Sequence, residues 1–258
     1  MNASVQAADT DGICEMLCRM GDSTLILGHR ISEWCGHAPV LEEDIAMANV
    51  ALDLIGQTQF WLGLAAERMG NGKTADQLAY LRDAHEFRNL LLVEQPNRDY
   101  ACTLVRQFLF DAWHILQLEG LMESTDASVA EIATKAIKEV SYHLERSADL
   151  VIRLGDGSEE SHQRMQRALD GLWSYTGEMF IDDAHSIAMA QAGIAPLPSS
   201  LRESWQHQVE AVFAEATLTI PKNAYAHRGG REGRHTEHLG YVLAEMQFLQ
   251  RAYPGCTW

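Results

Sequence analysis

Four helix-length segments in succession, separated only by short turns, constrain this chain more than any other feature. They run over about 41–69, 74–94, 100–123 and 128–154. Apolar residues recur in them at helical spacing. In the last one Ile137, Val140, Leu144, Val151 and Leu154 form a stripe, with Lys135, Lys138, Arg146 and Arg153 largely off it. Residues 70–73, 95–97 and 124–127 read as turns, and Thr74-x-x-Gln77 and Ser128-x-x-Glu131 as capping boxes. Strand-like alternation is almost absent, so the expected class is all-α, built on a four-helix bundle.

Further helices are expected at both ends. One spans 12–20 and breaks at Gly21, and a second runs from Thr24 to Cys35, where Gly36 to Pro39 stop it. Beyond the four segments come a long helix over 161–192, a sixth from Ser200 to Thr217, an irregular stretch over 220–235 and a last helix over 236–251. Residues 1–10 read as a loose N-terminus and 11–258 as a single domain.

The net charge of −16, from 36 acids and 20 bases, argues against binding to nucleic acid or an anionic membrane, both of which need a positive surface. No apolar run reaches the length of about 18 residues that a membrane span requires. The first ten residues lack the charged-then-apolar order of a leader. Cys14, Cys18, Cys35, Cys102 and Cys256 are scattered and without metal-ligand spacing, as expected of reduced thiols in a cytoplasmic protein.

Within the four segments a few polar residues interrupt apolar runs. Asp53 lies between Leu52 and Leu54, and Asp111 sits in a run from Phe108 to Leu116 with His114 one turn on. Two helices joined by a short turn return to the same height after about 30 residues. Asp53, the pair Asp83/Glu86, Asp111 and the pair Val140/His143 are so spaced that all could meet at one level of a bundle. A dinuclear carboxylate site needs one acid on each of two helices and an acid-x-x-His pair on the other two. Here both pairs are degraded: Glu86 stands where a His is needed, and Val140 offers no donor where an acid is needed. Iron or manganese prefers five or six donors with imidazole among them. The residues alone leave two readings open: a metal site with a reduced ligand set, or an ion-pair cluster completed by Arg82, Arg88, Arg106, Lys135 or Lys138.

Other features carry less. His235 and His238 stand i, i+3 but lack convergent acids. Cys35 beside Gly36-His37 reads as a turn thiol, and Phe108, Phe110 and Trp113 as core. The stretch 227–235, HRGGREGRH, is a basic patch in an acidic chain. Its Arg228, Arg231 and Arg234 suit phosphate groups, with the glycines leaving the backbone accessible.

Several long strings carry a resemblance over about residues 17–258. They are Leu27-Gly-His-Arg-Ile-Ser-Glu-Trp-Cys-Gly-His-Ala-Pro39, Leu90-Leu-Leu-Val-Glu-Gln-Pro-Asn97, Asp111-Ala-Trp-His114, Lys135-Ala-Ile-Lys-Glu139, His235-Thr-Glu-His-Leu-Gly240 and Ala244-Glu-Met-Gln247. In these the chain resembles the C-subunit family of the phenylacetyl-CoA 1,2-epoxidase (ring-1,2-oxygenase) complex of aerobic phenylacetate breakdown. The resemblance implies a ferritin-like fold and a structural role. The family pairs with a catalytic A subunit that holds di-iron and epoxidises phenylacetyl-CoA. A reductase with flavin and iron-sulfur groups supplies electrons from NADPH, and a small further subunit joins. This chain itself would then hold no cofactor and have no catalytic residues. The family's ligand positions fall at Asp53, Asp83, Glu86, Asp111, Val140 and His143, and the losses at Glu86 and Val140 suit the structural role. Arg228, Arg231 and Arg234 become candidates for CoA phosphates or acidic partner residues. The rival expectation is a self-sufficient carboxylate-bridged metal oxygenase.

Overall fold

The computed structural model describes residues 3–222 and 225–256. Among them no strand occurs, and the fold is all-α. The α-helices are α1 (Ala3–Ser32), α2 (Leu41–Met69), α3 (Ala75–Tyr80), α4 (Tyr100–Met122), α5 (Ala127–Gly155), α6 (Glu159–Leu172), α7 (Ala184–Gln191), α8 (Arg202–Glu215), α9 (Glu237–Met246) and α10 (Phe248–Ala252). The chain forms two compact units. Unit 1 takes the residues up to Pro96 and those from Gly229 onward, and unit 2 runs Asn97–Arg228.

Unit 1 is organised on an antiparallel pair, α1 and α2. Cys14 Sγ reaches the Ala65 carbonyl, the Thr24 and Thr58 hydroxyls bond at 2.8 Å, and Gly28 lies against Ile55 and Ala51. The expected break at Gly21 does not occur. A Cβ there would stand 2.6 Å from Leu62 Cδ2, so the glycine serves close helix–helix approach within an unbroken α1. Asp22 and Ser23, read as a cap, are helix interior: the Ser23 hydroxyl donates to the Arg19 carbonyl, and Asp22 is fully buried. α1 begins at Ala3.

The largest departure lies in the second expected segment. Its Thr74–Gln77 capping box forms as read, but α3 ends at Tyr80 instead of running to Glu94. Arg82 turns inward, forms an ion pair with buried Asp22 and stacks over the Phe87 ring at 4.3 Å. The Arg88 backbone N–H also donates to Asp22 at 2.8 Å. One carboxylate on α1 thus anchors a non-helical stretch, whose Leu90–Val93 run is wholly buried. A continuous apolar run of this length fits a buried helix as well as a buried non-helical stretch, so the sequence did not separate the two.

In unit 2, α4 is buried along most of its length and α5 packs against it. Trp205 of α8 donates its indole N–H to the Leu109 carbonyl at 3.1 Å, and Phe108 meets Phe213 edge-on. Asp126, rather than Ser128, caps α5. The single helix expected over 161–192 is two helices, α6 and α7, joined by short 3-10 turns. Asp183 starts α7 afresh: it accepts from the Ser186 N–H, and the Ser186 hydroxyl accepts from the Asp183 N–H, both at 2.8 Å. The last expected helix is divided between α9 and α10.

Candidate functional site

The six positions assigned to a dinuclear centre divide between the units, Asp53, Asp83 and Glu86 in unit 1 and Asp111, Val140 and His143 in unit 2. In unit 2 Asp111 on α4 has no solvent exposure. The Gln107 amide donates to one of its oxygens at 2.7 Å and the Ser147 hydroxyl to the other at 2.8 Å. Gln107 lies one turn before Asp111 on α4. Val140, His143 and Ser147 follow at i, i+3 and i+7 on α5, so all three share its buried face. Burial pushes the Asp111 carboxyl up to about 6, opposed by nearby His143 and by the bonds from Ser147 and Gln107. Val140, fully buried, contributes only packing here.

His114, one turn beyond Asp111, is also fully buried. Its ring lies 4.9 Å from that of Phe110 and stacks on Trp113. Neither ring nitrogen has a hydrogen-bond partner among the described residues. Burial, with His143 nearby, brings its pKa down to about 3, so the imidazole is neutral at physiological pH.

In unit 1 Asp83 and Glu86 serve local structure. Asp83 and Glu86 are exposed; Asp83 caps and Glu86 ends a 3-10 turn, and they do not lie on one face of a long helix. Glu86 accepts from the Asp83 backbone N–H at 2.8 Å, and Asp83 accepts from Arg251 of α10 at 2.9 Å. Asp53, expected to be buried, is half-exposed on α2. Among the described residues, no group of three or more His, Cys, Asp or Glu is placed to hold a metal ion.

A second polar centre, missed in the sequence, lies in unit 1 at Glu94. This carboxylate has no solvent exposure. It accepts from Asn89 at 2.9 Å, from the Thr236 backbone N–H and from His235 Nδ1 at 2.8 Å. His235 Nε2 also bonds the Phe87 carbonyl at 3.0 Å. Arg30 of α1 donates to the Glu94 backbone carbonyl and to that of His238. Three of the strings that carried the resemblance therefore meet at Glu94, His235 and Thr236 on its carboxylate and Arg30 on its backbone carbonyl. In the sequence Glu94 is a lone acid that follows the apolar run Leu90–Val93, which does not point to His235 or Thr236.

The same centre fixes the basic stretch. Gly229 and Gly230 are buried, and a Cβ on Gly230 would stand 2.2 Å from the Asn89 carbonyl oxygen. Gly233 has φ +76° and lies as closely on the His85 carbonyl. The glycines thus serve close packing on residues 85–91, where backbone accessibility was expected. Arg228 ends unit 2 and is exposed, Arg231 is half-buried in unit 1, and Arg234 is exposed and paired with Glu232.

Of the thiols, Cys14, Cys18 and Cys102 are buried and Cys35 is exposed. Burial, reinforced by nearby Asp22, raises the Cys18 thiol to about 12, which keeps it protonated and unreactive. No helix among the described residues is long and apolar enough to cross a membrane.

A curated relative, the C subunit of the 1,2-phenylacetyl-CoA epoxidase of Escherichia coli (strain K12), is 50% identical to this chain over 240 residues, covering 93% of this chain and 96% of the relative. The family model described as phenylacetic acid catabolic protein matches residues 1–258. The chain belongs to that family.

Proposed function

We propose that this chain is the structural, non-catalytic subunit of a multicomponent phenylacetyl-CoA epoxidase and that it supports a homologous di-iron subunit. The observation that carries this reading is the state of Asp111. Both its oxygens accept hydrogen bonds from neighbouring side chains, and Val140 on the facing helix brings no donor. An O₂-activating dinuclear centre needs bridging carboxylates and imidazoles convergent on two metals. The exposed Asp83 and Glu86, engaged in a local turn and with Arg251, are poor material for such a centre. The likeness to the C subunit of the epoxidase supplies the substrate.

On this reading the chain itself binds no iron. Electrons come from NADPH through a reductase carrying flavin and an iron-sulfur cluster, and the complex works in the cytoplasm on phenylacetyl-CoA. We assign Arg228, Arg231 and Arg234 to the CoA phosphates or to acidic residues of the partner, since guanidinium groups favour such oxyanions.

The test is reconstitution with and without the di-iron subunit, with reductase, NADPH, O₂ and phenylacetyl-CoA supplied. The expected result is epoxide only in the mixture, and co-elution of this chain with the di-iron subunit. Epoxide formed by this chain and reductase alone would overturn the reading.

A further inference from the structure

We infer that the outward face of α2 is the surface on which this chain holds its catalytic partner, and that the partner meets it with an apolar helix flanked by lysine or arginine side chains. The inference rests on the structural-subunit reading and adds the place and the chemistry of the contact.

The buried side of α2 carries Met47, Val50, Leu54, Trp61 and Ala65. The opposite side should be polar on a helix whose far face meets only water. It is mixed instead: exposed Asn49 and Gln59 stand there among large apolar side chains. Leu41 is 72% exposed, Ile45 54%, Leu52 69% and Phe60 48%. At 100° per residue these four fall within an arc of about 100°, and they extend along about 30 Å of helix. A single exposed leucine is ordinary, but an aligned row of large apolar side chains marks an interaction surface. Gly56 and Gly63 lie within the same arc, and a Cβ on either would meet nothing within 4 Å. The backbone there is open to close approach by another helix.

The charge around the row selects the occupant. Glu67 and Glu42 lie in and at the edge of the same arc and Asp53 just beyond it, and Glu43 and Asp44 add to the first turn, whereas Arg68 is the lone base of α2 and lies toward the buried side. A second copy of this chain would set these acids against themselves, in a molecule of net charge −16. A heterologous partner with a basic rim complements the negative charge of Glu42 and Glu67. A stable interface buries about 800 Å² per partner, so the row is the apolar centre of a wider contact.

The experiment measures binding of the full-length chain to the purified di-iron subunit by biolayer interferometry at several salt concentrations. The variants are Ile45→Lys with Leu52→Lys, Glu42→Lys with Glu67→Lys, and Tyr241→Lys as a control on α9, each checked for an unchanged thermal melt. The row variant is expected to weaken binding at least 100-fold. The rim variant should slow association about tenfold and flatten its salt dependence, and the control should bind within twofold of wild type. A folded row variant that binds within twofold of wild type overturns the inference and leaves the structural-subunit reading standing. A wild-type chain that does not bind the di-iron subunit at all removes both.

Discussion

Glu94 and His235 are separated by 141 residues in the chain and bonded at 2.8 Å in the interior of unit 1. The pair joins the last apolar turn before Pro96 to the residues that open α9. It does so with both side chains buried, His235 being 4% and Glu94 0% exposed at the side chain. A buried carboxylate is tolerated only where donors surround it. Here they come from Asn89, from Thr236 and from the imidazole. The return of the chain from unit 2 into unit 1 is thereby held at one point.

Glu94→Ala leaves those donors buried and unmatched. The expected loss of stability is about 3–5 kcal/mol, read by urea unfolding. Glu94→Gln keeps acceptor capacity and should lose less. Hydrogen exchange across 229–238 should accelerate in both variants. A loss below about 1 kcal/mol for the alanine variant, the range of an exposed pair, would show that the centre does not hold the segment.

The glycines separate into those that hold space for a neighbour and those that do not. A Cβ on Gly155 of α5 would stand 2.5 Å from the Ala216 carbonyl oxygen, a backbone atom that cannot rotate away. Gly155→Ala should therefore destabilise by about 1–3 kcal/mol through overpacking. Gly63 of α2 has open space instead, and Gly63→Ala should stabilise the isolated chain by about 0.5–1 kcal/mol through helix propensity. Thermal melts of both variants measure the contrast, and equal effects would contradict the packing described.

Asp111 and His114 make stability respond to pH in opposite directions. The folded-state pKa of Asp111 is raised, from 3.8 to about 6. The folded state therefore binds the proton more tightly, and the contribution present below pH 4 is lost as pH rises through 6. Asp111→Asn should remove that decline, worth about 3 kcal/mol in full. The folded-state pKa of His114 is lowered, from 6.5 to about 3. Its contribution is present above pH 6.5 and falls away as the pH drops toward 3. His114→Phe should relieve about 2 kcal/mol at pH 5 and little at pH 7.5. Urea titrations at pH 4, 5, 6 and 7.5 read both slopes, and parallel curves for wild type and variants would contradict the burial argument.

The helical class, the lengths of α2, α4 and α5, and the buried place of Asp111, Val140 and His143 were legible in the sequence, because each rests on local periodicity. The course of 81–96 was not. Its helix-compatible composition is overruled by Asp22, some 60 residues earlier, whose ion pair with Arg82 and bond from Arg88 no local pattern reveals. Gly21 misled for the same reason. A glycine that breaks a helix and one that admits Leu62 look alike until the neighbouring helix is known. Asp83 and Glu86 point inward only on a continuous helix, and they lost that role when the helix ended at Tyr80. Glu94 went unread because a lone acid beside an apolar run gives no sign of the distant His235 and Thr236.

The central claim is that this chain supports an oxygenase without carrying its metal. Anaerobic loading of the purified chain with Fe(II), followed by desalting, metal analysis and exposure to O₂, tests it most directly. The account predicts near-zero bound iron and no O₂-dependent absorbance change, with Val140 and the hydrogen-bonded Asp111 as the cause. Retention of about two irons per chain, the complement of a dinuclear carboxylate site, with an O₂-dependent absorbance change, would contradict it and make this chain an oxygenase in its own right.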